Sequence, residues 1–374
     1  MNKIKVTVLF GGQSSEHEVS RISAQCVLEN IDRDRFEVQT IGITQKGEWL
    51  RYEGDIKLIG TGEWEPVARS MLQNNNNSGR LNESVMTAPT CLDLVSFKNE
   101  KNHNTGVDVV FPVLHGPNGE DGSVQGLLQL ADIPYVGCNI LSSAAGMDKE
   151  FSKLVFNNAG IPQAKYIKVY RNEIDGSMPY IISQISDKLG WPCFVKPANA
   201  GSSVGVSKAR TPEELGSALK CATLYDKKIL IEEFIKGREI ECAVLGNENP
   251  VASVVGEIVP SNEFYDFNAK YIDGKSDTII PANIEYDTAE QVRLFAVKAF
   301  KALGCSGLSR VDFFVKESGE VVLNEINTMP GFTSISMYSK LWEASGIPYK
   351  ELITRLIELA FENHRHNIRS FERK

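Results

Sequence analysis

The sequence predicts a protein of several domains, with a doubly wound α/β unit first and α+β segments after it. Residues 3–10 form a buried strand pattern, and a Gly11-Gly12 turn and an amphipathic stretch at 19–30 follow in the order typical of doubly wound sheets. Residues 193–209 and 307–327 instead have the pattern of antiparallel hairpins. A length of 374 residues exceeds one typical domain.

The composition is that of an ordinary globular protein, with 42% hydrophobic and 24% charged residues. A net charge of −8 without a basic stripe argues against nucleic-acid binding. No apolar run approaches the roughly 18 residues of a membrane span, and we expect neither a membrane segment nor an export signal. The seven scattered cysteines include no CxxC motif, which is typical of reduced thiols and predicts a cytoplasmic location.

Two glycine-rich turns carry polar side chains at the ends of predicted N-terminal strands. The turn at 11–18 contains Glu16, and the turn at 115–122 begins with His115. Because parallel strands end at one edge of a sheet, we expect a shared ligand crevice there. A loop hydrogen-bonding role is the alternative for His115. Between the two turns, residues 53–105 are predicted to be an irregular surface elaboration.

The middle of the chain contains a candidate phosphate-binding loop. Residues 142–158 are predicted to be one helix, with a domain boundary near 146, and a Gly/Ser loop at 197–203 joins two strands. This is not a P-loop, because no GK[ST] opens a helix. The loop amides could nevertheless cover a triphosphate while Lys196 neutralises charge, and a plain mobile hairpin is the alternative. Glu232 and Glu233 end a further strand that could bind adenine and ribose or be a solvated edge.

The hairpin at 307–327 predicts a metal site. If Ser318-Gly319 is a two-residue loop, or part of a four-residue one, Asp312 faces Glu325 and Arg310 faces Asn327. Side-chain alternation then places all four on one face, with opposed Cβ atoms about 4.5–5.5 Å apart. Opposed carboxylates need a cation, and oxygen ligands suit Mg²⁺ or Mn²⁺. In the alternative, Arg310 pairs with Glu325 while Asp312 faces solvent.

Two further segments complete the candidate site. After the hairpin, a Pro330-Gly331 turn leading into Thr333-Ser334 can direct backbone N–H groups at an anion. Residues 257–281 alternate aromatic and charged side chains with neither helical nor strand periodicity, which predicts a long structured loop acting as a lid. Ordinary packing of its aromatic residues is the alternative. Helices are predicted at 285–304 and 347–362.

Together these segments resemble the D-alanine–D-alanine ligase family of the ATP-grasp superfamily. The resemblance runs from residue 3 to about 362 and rests on GGQSSEHEVS, HGPNGEDGSVQG, MDK, FVKPANAGSSVGVSK, the Glu232–Glu239 segment, EFYDFNAKY, SRVDFF and NEINTMPGFTS. It implies a three-domain ATP-grasp architecture and a homodimer. The expected parts are an N-terminal α/β domain at 1–145, a central domain at 146–245 and a C-terminal domain at 246–374, with a lid at 256–283 and the metal-binding hairpin at 308–327.

The resemblance also implies how ATP and metal are held. Lys149 and Lys196 would contact the ATP phosphates, and Lys270 would reach the γ-phosphate from the lid. The remaining nucleotide contacts would come from Ser203, from Glu232 and the backbone of Glu233 to Ile235 at the adenine, and from Glu239 at the ribose. Two Mg²⁺ or Mn²⁺ ions would be bound by Asp312, Glu325 and Asn327.

The reaction implied by the resemblance joins two D-alanine molecules for peptidoglycan precursor synthesis. ATP first phosphorylates one carboxylate, and the amine of the second molecule attacks the acyl phosphate. Glu16 would hold the first ammonium group, and His115 would lie near the first carboxylate. A hydrogen-bonded link of Ser202, Tyr271 and Glu16 would close the lid. Arg310 and the Gly331 N–H would stabilise the tetrahedral oxyanion, and Ser336 would receive the second carboxylate.

Acceptor choice is the open point at this stage. Tyr271 fits the dipeptide-forming members, and the apolar Ile335 and Met337 around Ser336 favour a methyl side chain. A D-serine or D-lactate acceptor on the same scaffold is the alternative, because one hydroxyl group discriminates weakly without a dedicated partner. A catalytically silent nucleotide-binding protein is the alternative from another class, and it would require a degraded metal set or lid lysine.

Overall fold

The computed structural model describes residues 3–77, 106–259 and 277–367, which form three sheets with helices packed against them. The first sheet has the strand order β3-β2-β1-β4. Strand β1 is parallel to β2 and β4, whereas β3 is antiparallel to β2. These strands are β1 (Ile4–Gly11), β2 (Phe36–Ile43), β3 (Trp49–Tyr52) and β4 (Val109–Pro112).

The parallel register of this sheet brings the two glycine-rich turns together. Leu9 of β1 lies opposite Pro112 of β4, so both strands end at the same edge. The residues from Val6 to Phe10 are completely buried, as expected for a central parallel strand. The helices of this part are α1 (His17–Asn30), α2 (Ile56–Thr61), α3 (Trp64–Asn77) and α4 (Ser123–Leu130).

The prediction of an irregular segment at 53–105 is wrong for residues 56–77, which form α2 and α3. Asp55 caps α2 by accepting a hydrogen bond from the Lys57 N–H, and Gly62 ends the helix with a left-handed φ of 92°. Gly62 therefore terminates a helix within a segment that was predicted to be irregular. Trp64 is buried against Phe10, with ring centroids 4.8 Å apart. Residues 78–105 lie outside the described ranges.

The predicted single helix at 142–158 is two helices, α5 (Ile140–Met147) and α6 (Lys149–Asn158). Asp148 separates them with an extended backbone conformation, and its side chain accepts hydrogen bonds from the N–H groups of Glu150 and Phe151. An aspartate N-cap satisfies backbone donors that a continuous helix would have bonded internally. The cap places Lys149 at the first position of α6.

The second sheet lies in the middle of the chain and is antiparallel throughout, in the order β5-β8-β6-β7. The predicted hairpin around the Gly/Ser loop is confirmed as β6 paired with β7. Its strands are β5 (Tyr166–Tyr170), β6 (Cys193–Pro197), β7 (Ser207–Ala209) and β8 (Lys228–Glu233), and its helices are α7 (Ile174–Lys188) and α8 (Pro212–Thr223).

The third sheet is also antiparallel, in the order β11-β10-β9-β12-β13. Its strands are β9 (Arg238–Gly246), β10 (Val251–Val259), β11 (Asp277–Ile279), β12 (Gly307–Val315) and β13 (Val321–Asn327). The last helices are α9 (Tyr286–Leu303), α10 (Met337–Ala344) and α11 (Tyr349–His366). Within the described ranges, no helix has the length and apolar character needed to cross a membrane.

One hydrophobic core contains side chains from both the N-terminal and the C-terminal parts of the chain. Phe111 of the first sheet packs edge-on against Phe332, and both belong to a cluster that includes Tyr338 of α10 and Leu352 of α11. The mixed α/β and α+β fold agrees with the prediction. The domain limits stay a prediction, and the proposed boundary at 246 falls at the end of β9, a strand that pairs within the third sheet.

Candidate active site

Two cavities meet at a common wall, and together they are lined by every predicted site residue that the structure describes. The smaller one, about 340 Å³, contains Glu16, His115, Arg310, Asn327, Gly331 and Ser336. The larger one, about 420 Å³, lies between the second and third sheets and contains Lys196, Ser203, Glu232, Glu233, Ile235, Glu239 and Asp312. Lys149, Ser202 and Glu325 line both cavities. Lys270 and Tyr271 lie outside the described residues.

The hairpin of β12 and β13 has the predicted register at its polar residues. Arg310 lies opposite Asn327, and Asp312 lies opposite Glu325. The predicted two- or four-residue turn is wrong, because the Lys316 N–H donates to the Glu320 carbonyl and leaves a three-residue loop ending at Gly319, with φ 82°. A bulge at Asn324 adds one residue to β13 and restores the register beyond it.

The polar face of the hairpin is strongly paired. Arg310 binds both carboxylate oxygens of Asp312, each at 2.8 Å, and its Nε lies 2.9 Å from Glu241. The Asn327 amide donates to Asp312 at 3.0 Å, and Lys149 Nζ lies 3.5 Å from Glu325. The alternative in which Asp312 faces solvent is wrong, because its side chain is only 13% exposed.

The donor set of this face fits a divalent cation of the magnesium type. Asp312 and Glu325 face each other, and the Asn327 amide contacts Asp312. Two carboxylates and an amide oxygen are ligands that Mg²⁺ prefers, with the rest of its octahedron taken from water or phosphate. No group of three or more His, Cys, Asp or Glu residues suited to a metal occurs in the described part of the chain. Such an ion would therefore need Asn327 and non-protein ligands.

Glu16 is a buried carboxylate with room for a cationic ligand. The Ser202 hydroxyl donates to Glu16 Oε1, which joins the first glycine turn to the Gly/Ser loop. Among the described residues, none donates a hydrogen bond to Oε2. A Cβ on either Gly116 or Gly201 would lie 2.5 Å from Oε2, so a side chain at either position would displace the Glu16 carboxylate. An unsatisfied buried carboxylate oxygen favours binding of an ammonium group.

His115 uses both ring nitrogens inside the protein. Nδ1 donates to the Met329 carbonyl at 3.0 Å, and Nε2 lies 3.1 Å from the Ser23 hydroxyl. Ser23 also accepts a hydrogen bond from the Phe332 N–H. Burial lowers the pKa of His115, so a neutral ring accepts from Ser23. His115 therefore holds the segment after β13 against α1, and its predicted closeness to a substrate carboxylate stays a prediction.

Glu120 is a site residue of the second glycine-rich turn for which the sequence predicted no role. Its carboxylate accepts hydrogen bonds from the Gly116 N–H at 2.6 Å and from the Met329 N–H at 3.2 Å. Burial and the nearby charge of Glu16 raise the pKa of Glu120 to about 8. Its place in the motif HGPNGEDG, four residues after Gly116, was the available signal. The partner Met329 was not readable from the sequence.

The Pro330-Gly331 turn is folded by side chains that follow it. The Thr333 N–H donates to Ser336 Oγ at 3.0 Å, and the two hydroxyl groups are 2.8 Å apart. Gly331 approaches Ser336 so closely that a Cβ would lie 2.9 Å from its Oγ. Within the described ranges, the Gly331 N–H has no hydrogen-bond acceptor. This N–H group is available for an anion in the smaller cavity.

The larger cavity combines lysines with a strained loop. Lys149 Nζ donates to the Ala200 carbonyl at 2.8 Å, and Lys196 Nζ lies 2.6 Å from Glu232. Ser202 and Ser203 both have left-handed backbones, with φ of 49° and 59°. Two consecutive non-glycine residues in this region are uncommon, and such strain occurs preferentially at ligand-binding positions.

Aromatic side chains that were not predicted from the sequence form a part of the larger cavity. Phe194 and Phe234 line it with ring centroids 6.1 Å apart. Phe194 precedes Lys196 by two residues on β6, so strand alternation was the available signal. The Glu233 carboxylate accepts a hydrogen bond from the Lys165 N–H at 2.7 Å, which anchors this strand end while the backbone to Ile235 borders the cavity.

Comparison with known proteins assigns both halves of the chain to one family. The family models described as "D-ala D-ala ligase N-terminus" and "D-ala D-ala ligase C-terminus" match residues 5–138 and 155–358. The chain is 54% identical over 374 residues to D-alanine–D-alanine ligase of Ruminiclostridium cellulolyticum and 56% identical over 373 residues to that of Acetivibrio thermocellus. In both cases the match covers 99% of this chain and 99% of the relative.

Solved structures show the same similarity over nearly the whole chain. The VanG D-Ala:D-Ser ligase from Enterococcus faecalis matches with a TM-score of 0.82 and 38% identity, covering 96% of this chain and 100% of that one. The D-alanine–D-alanine ligase from Coxiella burnetii matches with a TM-score of 0.78 and 35% identity, covering 97% of each chain.

Proposed function

This chain belongs to the D-alanine–D-alanine ligase family, and we propose that its site joins two D-alanine molecules with conversion of ATP to ADP and phosphate. The dipeptide is the product used for peptidoglycan precursors. One observation carries the proposal, namely that the two cavities meet at Lys149, Ser202 and Glu325. A nucleotide in the larger cavity can thus present its terminal phosphate to a carboxylate in the smaller one.

The first D-alanine is proposed to bind with its ammonium group at Glu16. The unsatisfied Oε2 of this buried carboxylate supports the assignment. The substrate carboxylate then faces the wall shared by the cavities, where Lys149 supplies positive charge for the phosphates, and Lys196 adds positive charge within the larger cavity. Positioning and charge neutralisation are the main contributions a protein makes to phosphoryl transfer. Lys270 is proposed to add a contact with the γ-phosphate.

The remaining nucleotide contacts are proposed along β8 and β9 and in the Gly/Ser loop. Glu232 and the backbone from Glu233 to Ile235 would bind the adenine, because this strand end borders the larger cavity. Glu239 would bind the ribose. Ser203 would contact the phosphates, and its left-handed backbone in the cavity wall supports this role.

Asp312, Glu325 and Asn327 are proposed to hold two Mg²⁺ or Mn²⁺ ions. When bound, such ions neutralise the charge of the ATP phosphates and orient the terminal phosphate. The facing carboxylates of the hairpin support the assignment, because Asp312 lines the larger cavity and Glu325 lines both cavities. Lys149 and Arg310 already balance these carboxylates, so the face remains compatible with a stable fold before any ion binds.

In the second step, the amine of the acceptor attacks the carbonyl carbon of the acyl phosphate, and phosphate leaves. The oxyanion that forms is proposed to be stabilised by Arg310 and by the Gly331 N–H, both of which border the smaller cavity. Ser336 is proposed to receive the acceptor carboxylate. Ser202, already bonded to Glu16, is proposed to complete its link to the lid through Tyr271.

The acceptor is proposed to be D-alanine. Met337 lines the smaller cavity beside Ser336, and an apolar side chain there suits a methyl group. D-serine is the second candidate, because one similar solved structure is a D-Ala:D-Ser ligase. D-lactate is the third. A homodimer in the cytoplasm is also proposed, and sedimentation of the purified protein at several concentrations tests the dimer.

Products identified by mass spectrometry test the proposed function. The protein is incubated with ATP, Mg²⁺ and D-alanine, alone and with an excess of D-serine or D-lactate. We expect D-alanyl-D-alanine as the main product in every mixture, with one phosphate released for each dipeptide. A mixed product in excess would correct the acceptor. Absence of phosphate release with all three acceptors would overturn the enzymatic assignment and favour a silent nucleotide-binding protein.

Binding of D-alanine should release a proton from Glu120 near pH 7. With a pKa of about 8, this carboxyl group is mostly protonated in the free protein at that pH. An ammonium group at Glu16 adds positive charge nearby, which lowers the pKa of Glu120. Calorimetry in buffers of different ionisation enthalpy measures the proton count, and we expect a net release of a fraction of a proton. The Glu120→Gln variant should release much less, and proton uptake by the unmodified protein would contradict the prediction.

A further inference from the structure

Glu232 is placed between two lysines in the wall of the larger cavity. Lys196 Nζ lies 2.6 Å from Glu232 Oε2, and Lys153 Nζ lies 3.2 Å from Oε1. The side chains of Glu232 and Lys153 are 4% and 3% exposed, and that of Lys196 is 12% exposed. A single buried carboxylate thus has a lysine beside each of its oxygens. One lysine would be enough to balance its charge.

The two lysines differ in their access to a ligand. Lys196 lines the larger cavity together with Glu232, whereas Lys153 is not among the lining residues and lies behind Glu232, with Nζ 5.6 Å from the centre of the Tyr166 ring. Lys153 follows Lys149 by one turn of α6, so both project from the same helical face. Of the two lysines, only Lys196 can therefore leave Glu232 and pair with a bound anion instead.

Binding of a nucleotide would affect Lys153 and Lys196 differently. The phosphates of a nucleotide attract Lys196, and its departure would leave Glu232 buried with an unpaired charge if no second cation were present. Removing one partner of a buried ion pair is strongly unfavourable, because the other charge stays desolvated. Burial by itself raises the pKa of Glu232, and the charges of Lys153 and Lys196 reverse this and keep the carboxylate ionised.

We propose that Lys153 is a positioning residue that serves as the permanent counter-ion of Glu232 and thereby frees Lys196 to bind the nucleotide. This inference rests on the proposed function only in taking the larger cavity as the ATP site. Lys153 lines neither cavity, so it acts through Glu232. Its effect is on ATP affinity and not on the chemical steps.

The variant Lys153→Met tests the proposal, because methionine retains length and apolar packing but lacks the charge. Among the described residues, Lys196 then remains as the one cation beside Glu232. We expect KM for ATP and the calorimetric Kd for ATP to rise about tenfold, while kcat at saturating ATP stays within about threefold of the unmodified protein. The calorimetric measurement does not require turnover, so it remains informative even if the proposed reaction is wrong.

Two comparisons separate this role from a general loss of packing or charge. Lys168→Met removes a lysine of the same domain that pairs with Glu150 at 2.6 Å outside both cavities, and its ATP affinity should be unchanged. The double variant Lys153→Met/Glu232→Gln contains no competing carboxylate, so its ATP affinity should return to within about threefold of Glu232→Gln alone.

Three results would overturn the proposal. The first is an unchanged ATP affinity in Lys153→Met, and the second is an equal loss in Lys168→Met. The third is a further tenfold loss when Lys153→Met is added to Glu232→Gln. If Lys153→Met alone fails to fold, the comparison of Glu232→Gln with the double variant decides, because the double variant has neither of the two charges.

Discussion

Replacing Glu325 with glutamine is expected to abolish ligation while the fold is retained. Glu325 borders both cavities and faces Asp312 across the hairpin. Glutamine has the same shape but no charge, so the proposed cation site loses one of its two carboxylates. Loss of a single electrostatic contact at a reacting centre costs about 10²–10³ in rate, and we expect kcat/KM to fall by roughly 10³ or more.

The matched control for this variant lies at the turn of the same hairpin. Glu320 pairs with Lys316 at 3.0 Å and is 53% exposed, so Glu320→Gln removes an equal charge far from both cavities. Both variants should unfold with free energies within about 0.5–1 kcal/mol of the unmodified protein, and Glu320→Gln should keep its activity. Near-normal turnover of Glu325→Gln at limiting Mg²⁺ would show that the metal site has been misplaced.

The hairpin shows which structural features local sequence rules predict and which they do not. The pairing of Asp312 with Glu325 was predicted by counting from a two-residue turn. The turn has three residues, and a bulge at Asn324 compensates for the difference. Alternation of side chains fixes which residues can share a face, but turn length and bulges depend on twist and on neighbouring strands. The prediction at the polar residues was right although its assumed turn was wrong.

Local patterns found the polar residues of the site but not their partners. The carboxyl ends of strands are the places where such residues are expected, so the positions of Glu16, His115 and Lys196 were predictable. The contacts that order them are distant in sequence, such as Glu120 with Met329 and Ser23 with Phe332. These depend on how the first sheet packs against the segment after β13. No periodicity in either segment contains that information.

Helix boundaries failed for a related reason. Gly62 and Asp148 both interrupt predicted patterns, and both are caps. Residues 53–105 were predicted to be irregular, but Gly62 ends α2 there, and residues 142–158 were predicted to be one helix, but Asp148 begins a second one. Capping is decided by which backbone N–H and C=O groups lack partners. That balance follows from tertiary packing, which also buries Trp64 beside Phe10.

Replacing Arg310 with lysine is expected to lower kcat by about 10²–10³ with little change in KM for ATP. Arg310 is fixed from two sides, because it binds both oxygens of Asp312 and lies 2.9 Å from Glu241. Lysine preserves the positive charge but has one ammonium group, which cannot reproduce the planar fork of the guanidinium. The control is Arg69→Lys. The Arg69 guanidinium also donates hydrogen bonds to two carboxylates, those of Glu48 and Glu65, but lies away from both cavities.

The two reaction steps can be separated in the Arg310→Lys variant. If the acyl phosphate forms reversibly on the protein, ATP labelled with oxygen-18 at the β,γ-bridge scrambles its label when the first step proceeds and returns. If Arg310 acts on the later oxyanion, scrambling with D-alanine should persist at a rate within about tenfold of the unmodified protein while dipeptide formation falls much further. Parallel loss of scrambling would instead place Arg310 in the first step, where its contact with Asp312 would make it a support of the metal site. The same guanidinium contacts the Asp312 carboxylate and borders the smaller cavity. Measuring the two steps separately therefore distinguishes support of the metal site from stabilisation of the oxyanion.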